Sequence, residues 1–180
     1  MRTLRTSLCT LAVIVFCAGL AIADPTDPEG AIGLNFNAAL EQCERISVCS
    51  AAETGNGEAW VQAGLIWQTD LTNGALVLID VNADCEILQS CPAPGGISPS
   101  ENAYNGQYLY HYDFGTGMMY EINTANCEVM SSCDPPGDDM AEGLTYDYTT
   151  GLFWKGDSTT LYAFTYVDGQ CTVVEQCPNP

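Results

Sequence analysis

Three aspartates, Asp70, Asp113 and Asp157, recur at matching points of the chain, each three residues after an aromatic side chain (Trp67, Tyr110, Trp154). Turn-forming residues follow each one: Thr72-Asn73-Gly74, Gly115-Thr116-Gly117 and Ser158-Thr159-Thr160. Carboxylates repeated on one face of a fold would suit Ca2+, a hard cation that takes several oxygen ligands. A carboxylate at a turn also accepts bonds from nearby backbone N–H groups, and the regular spacing favours this capping role over a metal site. The acidic loop from Asp134 through Asp138 and Asp139 is a second cation candidate, but it lacks the D-x-D-x-D-G-x5-E order of an EF-hand and reads as a solvated loop. His111 is the single histidine, flanked by Tyr110 and Tyr112. A serine–histidine–carboxylate mechanism would depend on it, yet there is no G-x-S-x-G elbow to supply the nucleophile. It reads as a packed or surface residue, and no catalytic residue is assigned.

Cysteines carry the clearest pattern. Cys43–Cys49, Cys85–Cys91, Cys127–Cys133 and Cys171–Cys177 are all C-x5-C pairs, with first cysteines 42, 42 and 44 residues apart. The spacing is too wide for a zinc ribbon, and one histidine cannot complete a Cys/His site in every repeat. In an exported chain they are expected to be disulfides. Six steps of a straight strand would separate the two cysteines of a pair by ~20 Å. A disulfide needs Cα atoms about 4.4–6.8 Å apart. The expectation is a bridge inside each repeat, made possible by a short, hooked last strand. Such a small loop would stabilise by no more than ~2–3 kcal/mol.

Export is written into the N-terminus. Arg2 and Arg5 precede an apolar run from Leu8 to Ile22, and Ala21-Ile22-Ala23 offers a cleavage site before Asp24. Residues 1–23 are therefore assigned as a signal peptide and 24–180 as the mature domain, with a secreted, extracellular or periplasmic location and no later membrane span. Cleavage removes two cations and no carboxylate, taking the formal net charge from −19 to −21. Only Arg45 and Lys155 remain as cations. Such a surface repels nucleic acid and anionic membranes and is short of phosphate-binding groups.

Aligning the repeats on their cysteines brings short apolar runs into register. Strands are expected around Trp60, Tyr104 and Tyr146, at Leu65-Ile66-Trp67 and its equivalents, and at 75–80, 118–123 and 161–166, followed by the cysteine segment. Gly, Asn, Asp and Pro turns separate them, and no 3.6-residue apolar stripe appears outside the leader. Four strands in about 42 residues match one β-propeller blade. The repeats end near residues 49, 91, 133 and 177. The first has room only for its last two strands, so the fold class is an all-β, propeller-like array of three full blades plus a half blade.

The third repeat makes a resemblance concrete. Gly143-Leu144-Thr145-Tyr146-Asp147, Gly151-Leu152-Phe153-Trp154 and Leu161-Tyr162-Ala163-Phe164 resemble the blades of secreted NHL- or YVTN-type propellers. The resemblance implies blade shape and no particular activity. The function expected is non-enzymatic binding or assembly outside the cell. Partners would be a second copy completing the propeller, or an extracellular protein or glycan. The alternatives are a Ca2+-dependent propeller lyase or hydrolase, and a fragment of a longer propeller.

Overall fold

A computed structural model describes residues 55–96, 98–137 and 143–179. The expected signal peptide, the expected half blade, and Cys43 and Cys49 fall outside them. Among the described residues no helix is long and apolar enough to cross a membrane.

Twelve strands form three four-stranded antiparallel sheets, each built from consecutive strands. Blade 1 holds β1 (Gly55–Gln62), β2 (Leu65–Asp70), β3 (Ala75–Asp80) and β4 (Glu86–Pro92). Blade 2 holds β5 (Ser100–Tyr104), β6 (Tyr108–Asp113), β7 (Met118–Asn123) and β8 (Glu128–Cys133). Blade 3 holds β9 (Leu144–Asp147), β10 (Leu152–Gly156), β11 (Thr160–Val167) and β12 (Gln170–Pro178). The strand β1 lies against β5, and β5 against β9, so the first strand of each blade is the inner one. β3 and β7 occupy the ranges their apolar runs predict.

Alternation of side chains across each sheet gives every blade two apolar faces. Ala59, Trp67, Leu76 and Cys91 of blade 1 pack against Leu109 and Ile122 of blade 2. One interface on, Ala103, Tyr110, Met119 and Cys133 of blade 2 meet Phe153 and Phe164 of blade 3. The two interfaces use the same repeat positions. Of the recurring aromatics, Trp67 and Tyr110 thus lie in the seams between blades, whereas Trp154 belongs to neither described seam. Phe153 sits 4.5 Å, centroid to centroid, from Tyr110 in an edge-on contact.

Every outer strand carries a bulge at one position. Pairing skips Leu88 between Ile87 and Gln89, Met130 between Val129 and Ser131, and Val174 between Val173 and Glu175. An extra residue bends the strand and increases its twist. The three skipped side chains are about half exposed.

The disulfides overturn the expectation of bridges inside each repeat. Cys91 is bonded to Cys127 and Cys133 to Cys171, with Cα–Cα distances of 5.3 and 5.7 Å. Each links the trailing cysteine of one repeat to the leading cysteine of the next. Twist supplies the reason. Successive strands rotate by roughly 20–25°, so three steps turn the outer strand by roughly 60–75° from the inner one. The outer strand then lies along the rim, and its end reaches the start of its neighbour. Cys127 aids this by adopting φ 61°, left-handed backbone that non-glycine residues rarely take. Cys85 is also disulfide-bonded, whereas Cys177 is free.

Candidate functional site: a carboxylate cleft between two blades

Asp70 and Asp113 end the second strands of their blades and Asp157 directly follows β10, and each accepts bonds from the turn that comes next. Asp70 Oδ1 accepts from the Thr72 and Asn73 backbone N–H groups at 2.9 and 3.2 Å, and its Oδ2 accepts from Asn73 Nδ2 at 2.7 Å. Asp113 Oδ2 accepts from Thr116 N at 2.8 Å. Asp157 Oδ1 accepts from Thr159 N, Thr160 N and the Thr159 hydroxyl. Each carboxylate stays within its own blade. Among the described residues, no three His, Cys, Asp or Glu side chains come together as a metal-binding group.

Two residues before each of these aspartates comes a polar side chain: Gln68, His111 and Lys155. In blades 2 and 3 this position is fully buried at the seam with the preceding blade. His111 Nδ1 lies 2.9 Å from Asn102 Oδ1. The amide of Asn102 donates through Nδ2 to the Gly57 carbonyl and the Thr69 hydroxyl of blade 1, which leaves its Oδ1 to accept from His111. That arrangement places the imidazole proton on Nδ1. Burial pushes the His111 pKa down to about 4, against opposing effects of Asp113 and the Pro94 carbonyl, so the ring is neutral near pH 7. His111 Nε2 and Asp113 Oδ1 are buried without a hydrogen-bond partner. Lys155 Nζ donates to the Pro136 carbonyl at 2.9 Å and lies 4.7 Å from the centre of the Tyr112 ring.

On the outer side of the seam between blades 2 and 3, a cleft of about 480 Å3 is lined by Tyr108, Glu121, Met130, Ser131 and Asp168. Glu121 comes from β7, on the face turned toward blade 3. Its two oxygens accept from the Tyr110 hydroxyl at 2.9 Å and the Ser131 hydroxyl at 2.7 Å. Since Ser131 spends its proton on Glu121, the Tyr166 hydroxyl 2.9 Å away donates to Ser131. At the other end Asn105 Nδ2 donates to the Tyr110 oxygen at 3.1 Å. Four side chains, Asn105, Tyr110, Ser131 and Tyr166, therefore point their donors inward along one line that ends on a single carboxylate. Burial, followed by the bond and charge of Glu121, raises the Tyr110 pKa, and burial raises that of Tyr166. Both phenols remain protonated at neutral pH.

Charge at this cleft is of one sign. Lys155 is the only lysine or arginine among the described residues, and it is engaged at Pro136 and Tyr112. Glu121 and Asp168 thus face the cleft with no cation lining it. The repeat comparison holds a signal of this site that sequence reasoning passed over. Relative to the strand bulge, Glu121 occupies the position of Leu78 in blade 1 and Ala163 in blade 3. A carboxylate has replaced an apolar seam residue in one blade only. Its neighbours Ser131 and Tyr166 come from other strands, and no spacing announces that they meet.

No family model and no curated relative matches the chain. Solved structures do resemble it. Glutaminyl cyclase from Myxococcus xanthus has a TM-score of 0.53 at 17% identity, over 69% of this chain and 50% of that one. Virginiamycin B lyase from Staphylococcus aureus gives 0.51 at 15% identity, over 67% and 41%. A catalytically inactive form of that lyase with quinupristin gives 0.52 at 16% identity, over 70% and 42%. These likenesses establish a propeller-like fold. The chain spans half or less of the length of the structures it matches.

Proposed function

We propose that the mature chain is an exported, non-enzymatic binding protein that receives a cationic group in the cleft between blades 2 and 3. The observation that carries this reading is Glu121, a part-buried carboxylate fixed by two hydroxyls and left without a cation among the described residues. A carboxylate oriented in this way needs no rearrangement to meet an ammonium group, and its hydrogen bonds leave acceptor capacity on both oxygens. The apolar walls, Met130 and Tyr108, suit the carbon stem of such a group. Catalysis is not favoured, because His111 lies buried at another seam and no activated nucleophile borders the cleft. The cyclase and lyase activities named for the structural neighbours rest on those proteins and are not carried across at this identity.

Titration calorimetry with a short oligolysine peptide at low salt tests the proposal. Glu121→Gln should weaken binding about tenfold, which corresponds to about 1.4 kcal/mol. Glu86→Gln, on the exposed outer strand of blade 1, controls for the general attraction of an acidic surface. Equal affinities for the two variants would end the cleft reading.

A further inference from the structure

Each described connector between blades carries a Pro-Gly pair at the third and fourth residues after the trailing cysteine. These are Pro94-Gly95 after Cys91 and Pro136-Gly137 after Cys133. Both glycines take left-handed backbone, with φ 84° and 92°. Both also lean on the aspartate of the blade that follows. A Cβ added to Gly95 would lie 2.2 Å from Asp113 Oδ2. One added to Gly137 would lie 3.2 Å from Asp157 Oδ2 and 3.3 Å from Lys155 Nζ. In blade 3 the slot under the proline carbonyl holds a cation, because Lys155 Nζ donates to the Pro136 oxygen at 2.9 Å with the Asp157 carboxylate beside it. In blade 2, His111 stands in place of the lysine, two residues before Asp113 and on the same face of β6. His111 and Asp113 are both fully buried. The imidazole proton on Nδ1 is committed to Asn102 Oδ1, so Nε2 presents a lone pair. The Pro94 carbonyl acts on the same ring as an acceptor. Neither Nε2 nor Asp113 Oδ1 meets a donor among the described residues. Three acceptors thus border the slot in which the equivalent blade holds an ammonium group.

We propose that His111 Nε2, Asp113 Oδ1 and the Pro94 carbonyl bind one divalent transition-metal ion of the Zn2+ class, which does in blade 2 what the Lys155 ammonium does in blade 3. Buried acceptors that face one another are costly unless a positive centre or a donor joins them. A water molecule has two protons to give and leaves one of the three acceptors unmet, whereas a metal ion meets them all. The donor set selects the metal. Ca2+ and Mg2+ take oxygen ligands, while an imidazole nitrogen beside a carboxylate suits Zn2+. The third ligand is a backbone carbonyl, so a cluster of three acidic, cysteine or histidine side chains is not required. The histidine tautomer also fits. A metal-ligating imidazole donates its other N–H to a fixed acceptor, as Nδ1 does here to Asn102 Oδ1. Asn102 is itself held by the Gly57 carbonyl and the Thr69 hydroxyl of blade 1. Blade 1 offers no equivalent slot, because both oxygens of Asp70 are engaged by Thr72 and Asn73. Gly95, which closes over Asp113, is exposed, so the slot lies just beneath the surface. An ion bound there fastens the connector from blade 1 onto the second strand of blade 2.

The slot lies at a different seam from the cleft, and its test is independent of the cleft reading. His111 is the single histidine of the chain, so imidazole 15N resonances report on it alone. The 15N-labelled protein is stripped with EDTA, exchanged into fresh buffer and titrated with ZnCl2. One equivalent should shift the Nε2 resonance and leave the proton on Nδ1. Zinc at about one hundred times its dissociation constant should raise the melting temperature by about 5–10 °C. CaCl2 at the same concentrations should leave the ring unmoved. Asp113→Asn should fold in EDTA, because its oxygen still accepts from Thr116 N and its amide can donate toward Nε2. It should weaken the zinc response of the ring by about tenfold or more. If this variant does not fold, the wild-type ring still decides. Zinc held by Cys177 or by surface carboxylates would leave the imidazole unmoved, and that result overturns the proposal. So does a zinc response of undiminished affinity in Asp113→Asn, or a ring that Ca2+ shifts as zinc does.

Discussion

Asp113 shows how one side chain can organise a turn. Its Oδ2 accepts from Thr116 N while the backbone of Gly95 approaches so closely that an added Cβ would lie 2.2 Å from that oxygen. Asp113→Ala should cost about 1–3 kcal/mol in urea denaturation, the range for losing bonds to a charged group. If the role is capping, the loss will be the same in Ca2+ and in EDTA. A larger loss in Ca2+ would restore a cation-binding role to the aspartates. That these residues cap turns was legible in the sequence, because the aspartate and its Thr, Asn or Gly partners lie within four residues of one another. The His111 environment was not legible, since Asn102, Thr69 and Gly57 reach it from two strands of another blade and one of its own. Its pH signature follows from the sign of the shift. The folded pKa of about 4 lies below the ordinary 6.5, so between these values the unfolded chain binds more protons. Stability should fall as the pH drops through that window, by on the order of 2 kcal/mol at pH 4.5. Denaturant midpoints at pH 7.5 and 4.5 should show a smaller drop for His111→Gln than for the wild type. Equal drops would show that another group controls the window. The capping carboxylates act lower still. Asp70 is shifted down first by the Asn73 side chain, Asp147 by the Thr150 hydroxyl and Asp157 by the Thr159 backbone N–H. Their contributions are present above the ordinary 3.8 and disappear as the pH falls through the depressed values.

The strand is the scale at which expectation and structure part. Repeat length, strand count and the ranges of β3 and β7 follow from local alternation and turn residues, both of which a sequence displays directly. Disulfide partners depend on twist summed over four strands, and neighbouring residues hold no record of that sum. The expectation of a bridge between Cys127 and Cys133 treated each repeat in isolation. It overlooked that a steeply rotated outer strand brings the two ends of adjacent blades together. The difference alters the energetics. Bridges spanning 36 and 38 residues close far larger loops than a C-x5-C bridge would. In the chain-entropy account each contributes about 3–4 kcal/mol. Replacing Cys91 and Cys127 together by serine should therefore lower the unfolding free energy by about that amount in urea titration. A loss near zero would mean that native-state strain cancels the entropy term. Met130→Ser, at the exposed bulge, should by contrast shift stability by no more than about 0.5 kcal/mol.

For the whole molecule, charge is the dominant long-range term. The full sequence carries a formal net charge of −19, with four lysines and arginines against 23 carboxylates. Self-repulsion of this kind opposes the compact state and is screened by salt, with a Debye length of about 10 Å at 0.1 M. The melting temperature should rise between low and moderate sodium chloride concentration in scanning calorimetry. A flat response would show that the carboxylates are already locally compensated. The links from blade to blade also determine how the molecule bears load. Tension entering at blade 1 passes from Cys91 to Cys127 through a covalent bond, then along the five residues Glu128–Ser132, and from Cys133 directly to Cys171. The inner strands and most of blades 2 and 3 hang outside this path like slack behind a knot. In a pulling experiment the oxidised chain should be nearly inextensible across these blades, and reduction should release roughly 250 Å of hidden length. The rim is a tether, and the blades are cargo slung from it.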